Sequence, residues 1–452
     1  MRRYPAYRAS GVDWLGEVPE GWDVKRLRFI VRLNPSKTEI ASWDRETDVT
    51  FLPMEAVGED GTINTDQIRP LAEVETGYTY LRERDVAFAK ITPCFENGKR
   101  ARMQGLTNGI AFGTTELTVL RPRLDVTTPD FVFWLISSSS FRRIGEAFMY
   151  GAGGQKRVPD DFARDFPVPL PPLPEQTAIA AFLDRETAKI DALVAEQRRL
   201  IALLAEKRQA VISHAVTRGL DPATPLKPSG IDWLGDVPEG WEVVPLRKIA
   251  RVQTGIAKGK DNTGVQTVEV PYLRVANVQD GFLDLEHVAM IEIPADSLER
   301  YLLKPGDVLM NEGGDFDKLG RGHVWEGQID PCIHQNHVFA VRPFGVSSEW
   351  LNWVTGSDYA QFYFMSRSKQ STNLASISST NLMDLPVVLP PANEQHEIVQ
   401  FIQKDTSRLD SLITTAESAI TLLQERRAAL ISAAVTGKID VRDALATGTE
   451  AA

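Results

Sequence analysis

The chain has 452 residues, of which 43% are hydrophobic and 25% charged, and its formal net charge is −11. These proportions are ordinary for a globular protein and exclude a disordered or fibrous chain, and the length predicts two to four domains. No run of 18 apolar residues occurs and no apolar stretch follows residues 1–5, so the sequence predicts a cytoplasmic protein with no membrane contact. The two cysteines, Cys94 and Cys332, are too few for a disulfide framework or a cysteine zinc site.

The chain repeats itself at an offset of 219 residues. The segment Ser-Gly-Val-Asp-Trp-Leu-Gly-Glu-Val-Pro-Glu-Gly-Trp at 10–22 returns at 229–241 with two conservative changes. The Pro- and Leu-rich segment 165–176 returns at 384–395, and 212–217 returns at 431–436. Between the matching blocks lie two divergent stretches of roughly 140 residues. Such a repeat predicts one frame, copied about a pseudo-twofold axis, that holds two different inserts.

The repeat also predicts the order of domains. A repeat segment (1–22) is followed by a first insert (23–169), a long helix (170–219), a linker with the second repeat segment (220–241), a second insert (242–388), a second long helix (389–438) and a tail (439–452). Short β-branched runs between turn residues predict strands at 49–52, 85–89, 117–120, 270–273, 307–310 and 337–341. Aromatic, helix-like stretches follow at 129–148 and 348–364, so we expect each insert to be an α+β domain.

Polar loops in both inserts are the candidate binding residues. In the first insert they are Lys90, Thr92, Lys99, Arg100 and Arg102 on a strand–loop–strand segment, then Gln155, Lys156 and Arg157 in a glycine-rich loop. In the second insert they are Lys258, Lys260, Asn311, Lys318, Arg321, Gln335, Asn336, His337, Lys369, Gln370 and Asn373. Arg and Lys read guanine and Gln and Asn read adenine, so the two sets predict two different sequences read. The alternative for any single loop is a solvated surface turn.

Residues 175–217 contain no Gly or Pro and are rich in Ala, Leu, Glu, Gln and Arg, which predicts a helix. Alternate steps of four and three residues predict a coiled-coil seam that recurs in the second copy. The apolar members of this seam are Ile179, Leu183, Ile190, Leu193, Leu200 and Leu204, and then Ile398, Ile402, Leu409, Leu412, Leu423 and Leu430.

The length of the helices predicts how they pair. A helix of 43 residues spans about 60 Å, which is longer than a small domain is wide. Because the first helix leads away from the first insert and the second must return, we expect an antiparallel pair with an insert at each end. Opposite charges at seam positions, Glu186 and Lys207 with Asp405 and Arg426, are predicted to set the register. The alternative is that each helix packs on its own domain.

Catalytic motifs are missing from the sequence. The run at 255–261 lacks the spacing and the Ser or Thr of a phosphate-binding loop. The segment 34–36, Asn-Pro-Ser, lacks the aromatic residue with which amino-methyltransferases stack a flipped base. His334 and His337 have no third metal ligand nearby in sequence, which favours a satisfied or base-contacting histidine. We therefore predict a chain that recognises rather than reacts, with no metal or cofactor of its own.

These motifs resemble the specificity subunit of type I restriction-modification systems. The resemblance rests on the 10–22 segment, on the Pro-Leu-Pro-Pro-Leu-Pro-Glu-Gln entry into the long helix, on its Ala-Val-Thr end, on 89–99 and on 154–159. It implies two target recognition domains that each read half of a split double-stranded DNA site, held apart by paired helices. It further implies two modification subunits that carry S-adenosylmethionine and, optionally, restriction subunits that use ATP and Mg. The second copy departs at Thr436-Gly437-Lys438, where the first has Thr217-Arg218-Gly219.

Two other classes of function stay open at this point. One is a coiled-coil scaffold whose inserts bind protein, and the other is a self-sufficient modification enzyme with an unrecognised active site. The negative net charge also predicts that the isolated chain binds DNA weakly, since phosphate neutralisation by Lys and Arg supplies most non-specific affinity.

Overall fold

The computed structural model describes residues 2–259, 264–314, 316, 319–370 and 375–442. The chain divides into two compact units, unit 1 (Met1–Gln197 with Ser418–Ala452) and unit 2 (Arg198–Glu417). Each unit therefore combines one insert with parts of both long helices. No helix in the described part of the chain is long and apolar enough to cross a membrane.

Unit 1 contains the first set of strands and helices. Its strands are β1 (Tyr7–Ala9), β2 (Glu17–Pro19), β3 (Asp23–Arg26), β4 (Val31–Leu33), β5 (Asp48–Leu52), β6 (Ile68–Pro70), β7 (Thr79–Arg82), β8 (Val86–Ala89), β9 (Arg100–Arg102), β10 (Ile110–Gly113), β11 (Leu117–Pro122), β12 (Tyr150–Ala152), β13 (Gln155–Arg157) and β14 (Pro167–Leu170). Its helices are α1 (Leu71–Val74), α2 (Pro129–Ile136), α3 (Ser139–Phe148), α4 (Asp160–Asp165) and the first part of α5 (Leu173–Arg218).

Unit 2 follows the same order with small differences. Its strands are β15 (Leu226–Pro228), β16 (Asp236–Pro238), β17 (Glu242–Pro245), β18 (Ala250–Thr254), β19 (Thr267–Leu273), β20 (Ala289–Pro294), β21 (Val308–Asn311), β22 (Gly313–Gly314), β23 (Gly322–Val324), β24 (Ile333–His334), β25 (Val338–Pro343), β26 (Lys369–Gln370), β27 (Ala375–Ser376) and β28 (Pro386–Leu389). Its helices are α6 (Leu298–Tyr301), α7 (Ser348–Thr355), α8 (Asp358–Arg367), α9 (Ser379–Met383) and most of α10 (Ala392–Val435).

Each insert is built on a four-stranded antiparallel sheet. Its order is β4-β11-β8-β9 in unit 1 and β18-β25-β21-β23 in unit 2. A second sheet, β6-β5-β10-β7 or β20-β19-β24, contains one parallel pair in each unit. The pairs β3–β14 and β17–β28 join the first and last strands of each insert, so the long helix starts where the insert began. The six predicted strands overlap β5, β8, β11, β19, β21 and β25.

A buried ion pair recurs at the same place in both four-stranded sheets. Arg121 on β11 donates from Nε and Nη2 to Asp85, at 2.8 and 2.9 Å. Arg342 on β25 makes the same contacts with Asp307. Both aspartates are almost fully buried, and a buried charge requires a hydrogen-bonded partner. The two sheets therefore share an internal polar contact as well as their strand order.

The predicted aromatic helices are each split in two. The hydroxyl of Ser138 accepts the Phe141 N–H and caps α3, so α2 ends at Ile136, well before residue 148, where the pattern predicts the end. In unit 2 the break falls at Gly356, which ends α7 before Ser357. Helix α5, predicted from residue 175, begins at Leu173 because Pro174 is tolerated in a first helical turn.

The buried stripe of the long helices differs from the predicted seam. Leu193, Leu200 and Leu412 are 51, 43 and 46% exposed, so their prediction as pairing residues is wrong. At every second position of the predicted seam, the side chain that is buried or half-buried is the one that follows the predicted residue. Both helices use equivalent positions of the repeat. These are Ile190, Val194, Gln197, Ile201, Leu204, Arg208 and Ile212 in α5, and Leu409, Ile413, Ala416, Ile420, Leu423, Arg427 and Ile431 in α10. Between residues 190 and 208 the observed stripe keeps the seven-residue spacing, so the two differ in which side of the helix faces inward. Apolar residues stand at both Leu193 and Val194 and at both Leu200 and Ile201, so the spacing alone suited either side.

The shifted stripe also changes the charged contacts. Lys207 and Arg426 are exposed, and Glu186 binds Arg185 and Lys189 of its own helix, which corrects the predicted charge pairing. In unit 1, Arg427 donates to Asp191 at 2.8 Å. In unit 2, Arg208 donates to Asp410 at 3.0 Å.

The first turns of each long helix lie in the core of their own unit. Ile179 and Leu183 belong to the unit 1 cluster that also contains Trp22 and Phe131. Ile398 and Ile402 belong to the unit 2 cluster that contains Trp241. These four predicted pairing residues thus pack in the core of their own unit. The alternative prediction, that each helix packs on its own domain, is therefore correct for the first turns of the helices.

All six histidines of the chain lie in unit 2. His334 is fully buried, and its Nδ1 lies 2.7 Å from the Val338 carbonyl oxygen. Burial lowers the pKa of His334 and also that of His323. The folded state therefore favours the neutral form of both imidazoles.

We expect the folded state to lose stability as the pH falls through the ordinary histidine pKa of about 6.5, because the unfolded chain then binds more protons than the folded one. Calorimetric melting should give a lower Tm at about pH 5.5 than at about pH 7.5. His334→Gln should reduce this difference, whereas His396→Gln on the surface should not. A Tm that does not change over this range would contradict the assignment.

The position of the stripe is tested by two leucines of one helix. Leu204→Ala should cost about 2 kcal/mol or more in the free energy of unfolding, since it removes a buried side chain. Leu200→Ala should cost less than about 0.5 kcal/mol, as is usual for an exposed position. Urea unfolding of both variants measures the difference, and equal losses would support the predicted seam, in which Leu200 and Leu204 both face inward.

Candidate nucleic-acid interface

The glycine-rich loop of the first insert is the turn of a hairpin. Strands β12 and β13 pair antiparallel, and Gly153 and Gly154 turn the chain with φ of +64° and +80°, a region that favours glycine. Gln155 and Lys156 leave the turn with exposed side chains. Tyr150, on the opposite strand, is 69% exposed. The hairpin thus presents an amide, an ammonium and an aromatic ring to solvent.

Contacts from the loop 90–99 hold this hairpin in place. The Thr92 N–H donates to the Lys156 carbonyl oxygen at 2.9 Å, and the Thr92 hydroxyl donates to the same atom. Arg157 donates to both carboxylate oxygens of Glu116, at 2.7 and 2.9 Å, and this contact lowers the pKa of Glu116. The structure therefore brings the two predicted loops of the first insert together. Thr92 and Arg157 support the hairpin, and no ion pair among the described residues involves Lys156.

Two predicted DNA-binding arginines are committed to the interior of unit 1. Arg100 is 7% exposed and donates to the hydroxyl of Ser137 and to the carbonyl oxygens of Glu59 and Gly98. Burial lowers the pKa of Arg100 to about 10. Arg102 donates to Asp130 and Asp184, at 2.7 and 2.8 Å. Their guanidinium groups already have protein acceptors, which corrects the prediction that they bind DNA.

Lys90 and Lys99 occupy intermediate positions. Both are half-buried, and the Lys99 ammonium donates to the Met54 carbonyl oxygen at 3.0 Å. The backbone of Lys90 bonds to Glu116 and Val158, which places the base of its side chain beside the hairpin anchor. Lys90 thus remains a candidate at the edge of the hairpin, while Lys99 mainly holds the 53–58 turn.

In the second insert, three predicted loops meet at Glu312. Its N–H donates to the His337 carbonyl oxygen, and its own carbonyl accepts the Ile377 N–H. His337 Nδ1 lies 2.7 Å from the Glu312 carboxylate, and Asn336 bonds the other ring nitrogen. Strand β22 pairs with β27, and β27 pairs with β26. Exposed Lys369 and Gln370 lie on β26, and Gln335 is half-buried in the adjacent loop.

The remaining predicted residues of the second insert are placed differently. Asn311 is 1% exposed and donates to the Val278 carbonyl oxygen at 2.8 Å, which corrects its prediction as a DNA contact. Arg321 is half-buried and lines a cavity of about 330 Å³ with Gln209 of α5 and Gln361. Lys258 is exposed. Lys260, Lys318 and Asn373 lie outside the described residues.

No cluster of His, Cys, Asp or Glu suited to a metal ion occurs among the residues that the structure describes. His334, which the sequence pairs with His337, faces the Val338 carbonyl oxygen inside the fold. His337 is on the surface beside Glu312. The two imidazoles therefore do not share a site.

Two kinds of site residue were missed by the sequence reasoning. Tyr150 was missed, although an aromatic residue directly before a glycine-rich turn is a usable signal for a base-stacking group. Gln176 was missed as an anchor. Its amide oxygen accepts from Thr127 and Thr128, and its amide nitrogen donates to Val126 and Pro171. Its recurrence at Gln395 within the repeat was the available signal.

Comparisons with known proteins identify chains that are similar to this one. The model of the type I restriction modification DNA specificity domain matches residues 238–422. The EcoAI type I restriction enzyme specificity subunit of Escherichia coli is 28% identical, over 88% of this chain and 78% of that protein. The EcoEI specificity subunit of Escherichia coli is 37% identical over 44% of this chain, but this match covers 33% of that protein. The EcoKI specificity subunit of Escherichia coli K12 is 24% identical, over 94% of this chain and 90% of that protein.

Solved structures agree at the level of the fold. A chain from work on complex assembly and conformational transition of the type I R-M system superposes with a TM-score of 0.68 at 20% identity, covering 93% of this chain and 99% of that one. The HsdS subunit from Thermoanaerobacter tengcongensis superposes with a TM-score of 0.54 at 18% identity, covering 93% and 98%. Together, these matches show that the chain is similar over most of its length to type I restriction-modification specificity subunits and shares the fold of the solved chains.

Proposed function

We propose that this chain is the DNA sequence-specificity subunit of a type I restriction-modification complex. In this proposal residues 23–169 and 242–388 are two target recognition domains, and each reads one half of a bipartite double-stranded DNA site. The chain supplies recognition and carries out no chemistry itself. A coiled-coil protein-binding scaffold is not favoured, because the relatives are named specificity subunits.

One observation carries this proposal. The hairpin β12–β13 and the pair β26–β27 occupy the same place in the repeat, 219 residues apart. The first presents Tyr150, Gln155 and Lys156, and the second presents Lys369 and Gln370. Equivalent positions with different polar side chains are what two readers of different half-sequences require. Lys90, Gln335, Asn336 and His337 are the neighbouring candidates for base or phosphate contacts.

The long helices are proposed to set the distance between the half-sites as an antiparallel pair about a pseudo-twofold axis. Two ion pairs support this pairing, Asp191–Arg427 in unit 1 and Arg208–Asp410 in unit 2. Asp410 and Arg427 stand 219 residues after Asp191 and Arg208, so each ion pair is the repeat copy of the other with the helices exchanged. This reciprocity is typical of two equivalent elements that run in opposite directions.

The partners follow from this role. We propose that two modification subunits dock on the chain, hold S-adenosylmethionine and methylate adenine, and that restriction subunits using ATP and Mg join them optionally. The net charge of −11 leaves the isolated chain with little non-specific attraction to phosphate. Specific binding is therefore expected mainly in the assembled complex.

The hairpin of unit 1 is tested by changing Gln155 and Lys156 together to Ala. In the complex with its modification subunits, DNA affinity should fall about tenfold or more, and the dependence on salt should decrease by about one counterion. Methylation sequencing should find only one half-sequence relaxed. Lys25→Ala, at an exposed lysine on β3, is the control and should change neither. A change in the other half-sequence would contradict the assignment of one reader to one insert.

The spacing role is tested by inserting seven residues between Asp191 and Arg208 and, in the same protein, seven between Asp410 and Arg427. Each helix then gains about 10 Å, which corresponds to about three base pairs at 3.4 Å each. Methylation mapping should find a longer gap and unchanged half-sequences. Insertion into α5 alone is the control, since it breaks the register of the ion pairs and should lower stability instead. An unchanged gap in the double insertion would refute the spacing role.

A further inference from the structure

Unit 2 contains a cavity of about 250 Å³ beside Trp241. Its wall includes Arg218, Thr224, Glu394 and Glu397. The indole N–H of Trp241 donates to Glu394 at 2.8 Å. The Nη1 atom of Arg218 is buried and has no hydrogen-bond partner among the described residues. A volume below about 300 Å³ is smaller than a drug-sized ligand site and suits a single side chain.

The same place in unit 1 is filled by a side chain. Glu394 and Trp241 stand 219 residues after Glu175 and Trp22. In unit 1, the Tyr4 hydroxyl donates to Glu175, and the Tyr4 ring packs edge-on against Trp22 with centroids 5.7 Å apart. Tyr4 is 7% exposed. The repeat thus displays one socket occupied by a tyrosine and a second socket without one.

The difference arises from the course of the chain. In unit 1, two separate segments of the chain meet at the socket, because the Asp440 N–H donates to the Arg2 carbonyl oxygen and Val441 is fully buried. In unit 2, one connection runs from α5 into β15, and Asp221 turns it by accepting the Ala223 N–H. One connection brings fewer side chains to the socket of unit 2 than two separate segments bring to the socket of unit 1. Accordingly, Phe401 in unit 2 is 38% exposed, whereas its repeat counterpart Phe182 is 3% exposed.

The charge of the empty socket indicates its occupant. Glu397 stands where unit 1 has Ala178, so the unit 2 socket carries an additional carboxylate. In unit 1 the inserted tyrosine belongs to the basic extended segment Arg2-Arg3-Tyr4. If a tyrosine from a basic segment entered this socket, its hydroxyl would donate to Glu394 and accept from the unpaired Nη1 atom of Arg218. The neighbouring cation of the segment would lie near Glu397.

We propose that this socket of unit 2 binds a tyrosine side chain on an extended, basic segment of a partner protein. The site is separate from the hairpins of the inserts, so it does not depend on the proposed DNA-binding role. Occupation would complete unit 2 as Tyr4 completes unit 1.

The test uses a fluorescent peptide with the sequence of residues 2–9, whose binding to the full-length chain is measured by fluorescence polarisation. We expect saturable binding that weakens about tenfold when Tyr4 of the peptide is replaced by Phe, since one hydrogen bond to a carboxylate is lost. Glu394→Gln in the chain should weaken binding by a similar factor. Thr224→Trp, which fills the rim of the cavity, should block it.

Glu175→Gln is the matched control, because it makes the same change in the socket that is already filled, and it should leave peptide affinity unchanged. Thermal melts report whether each variant folds. If Glu394→Gln does not fold, Thr224→Trp tests the socket in its place. Absence of saturable binding, equal affinity of the Tyr and Phe peptides, or equal effects of Glu175→Gln and Glu394→Gln would overturn the proposal. Tyr4-dependent self-association in sedimentation velocity would instead assign the socket to a second copy of this chain, and would overturn the partner assignment.

Discussion

The burial of one stripe along each long helix is the constraint on which the rest of the molecule depends. The first turns of α5 lie in the core of unit 1 through Ile179 and Leu183, and Gln176 ties the helix to the insert with three hydrogen bonds, to residues 126–128. A helix attached in this way cannot rotate about its axis without exposing apolar surface, at about 25 cal/mol per Å². The orientation of the insert on its own helix is therefore fixed before any DNA or partner binds.

The cationic side chains fall into two groups, those that donate to protein acceptors within the fold and those that are exposed. Arg100, Arg102, Arg121 and Arg342 build the interior, where each meets protein acceptors. The exposed hairpins retain few cations, of which Lys156 and Lys369 are the clearest. Because the chain has a net charge of −11, the proposed DNA-reading hairpins would gain little from general attraction to phosphate. Discrimination between bases and help from bound subunits then become a larger share of the binding free energy.

The two copies of the repeat share ion pairs and strand pairs but differ in how their cores are completed. The ion pairs Asp85–Arg121 and Asp307–Arg342 are preserved in both copies, as are the paired strands that open and close each insert. The residues beside the first turn of the long helix, however, differ between the copies. Tyr4 and Val441 complete the core of unit 1, while the equivalent end of unit 2 keeps a cavity. A duplicated protein thus acquires a difference between its halves from connectivity alone.

The sequence by itself determined the repeat, the length of the helices, the main strands of each insert and the resemblance to specificity subunits, because these depend on local periodicity and on motifs that recur at one offset. It could not determine which side of each long helix faces inward, since apolar residues stand on both candidate sides, as Leu193 beside Val194 and Leu200 beside Ile201. Only the tertiary structure decided that Arg100 lies inside and Lys156 outside. The reason is that the acceptors of Arg100, Ser137 and Glu59, are distant in sequence, and a charged side chain is buried only where such partners converge.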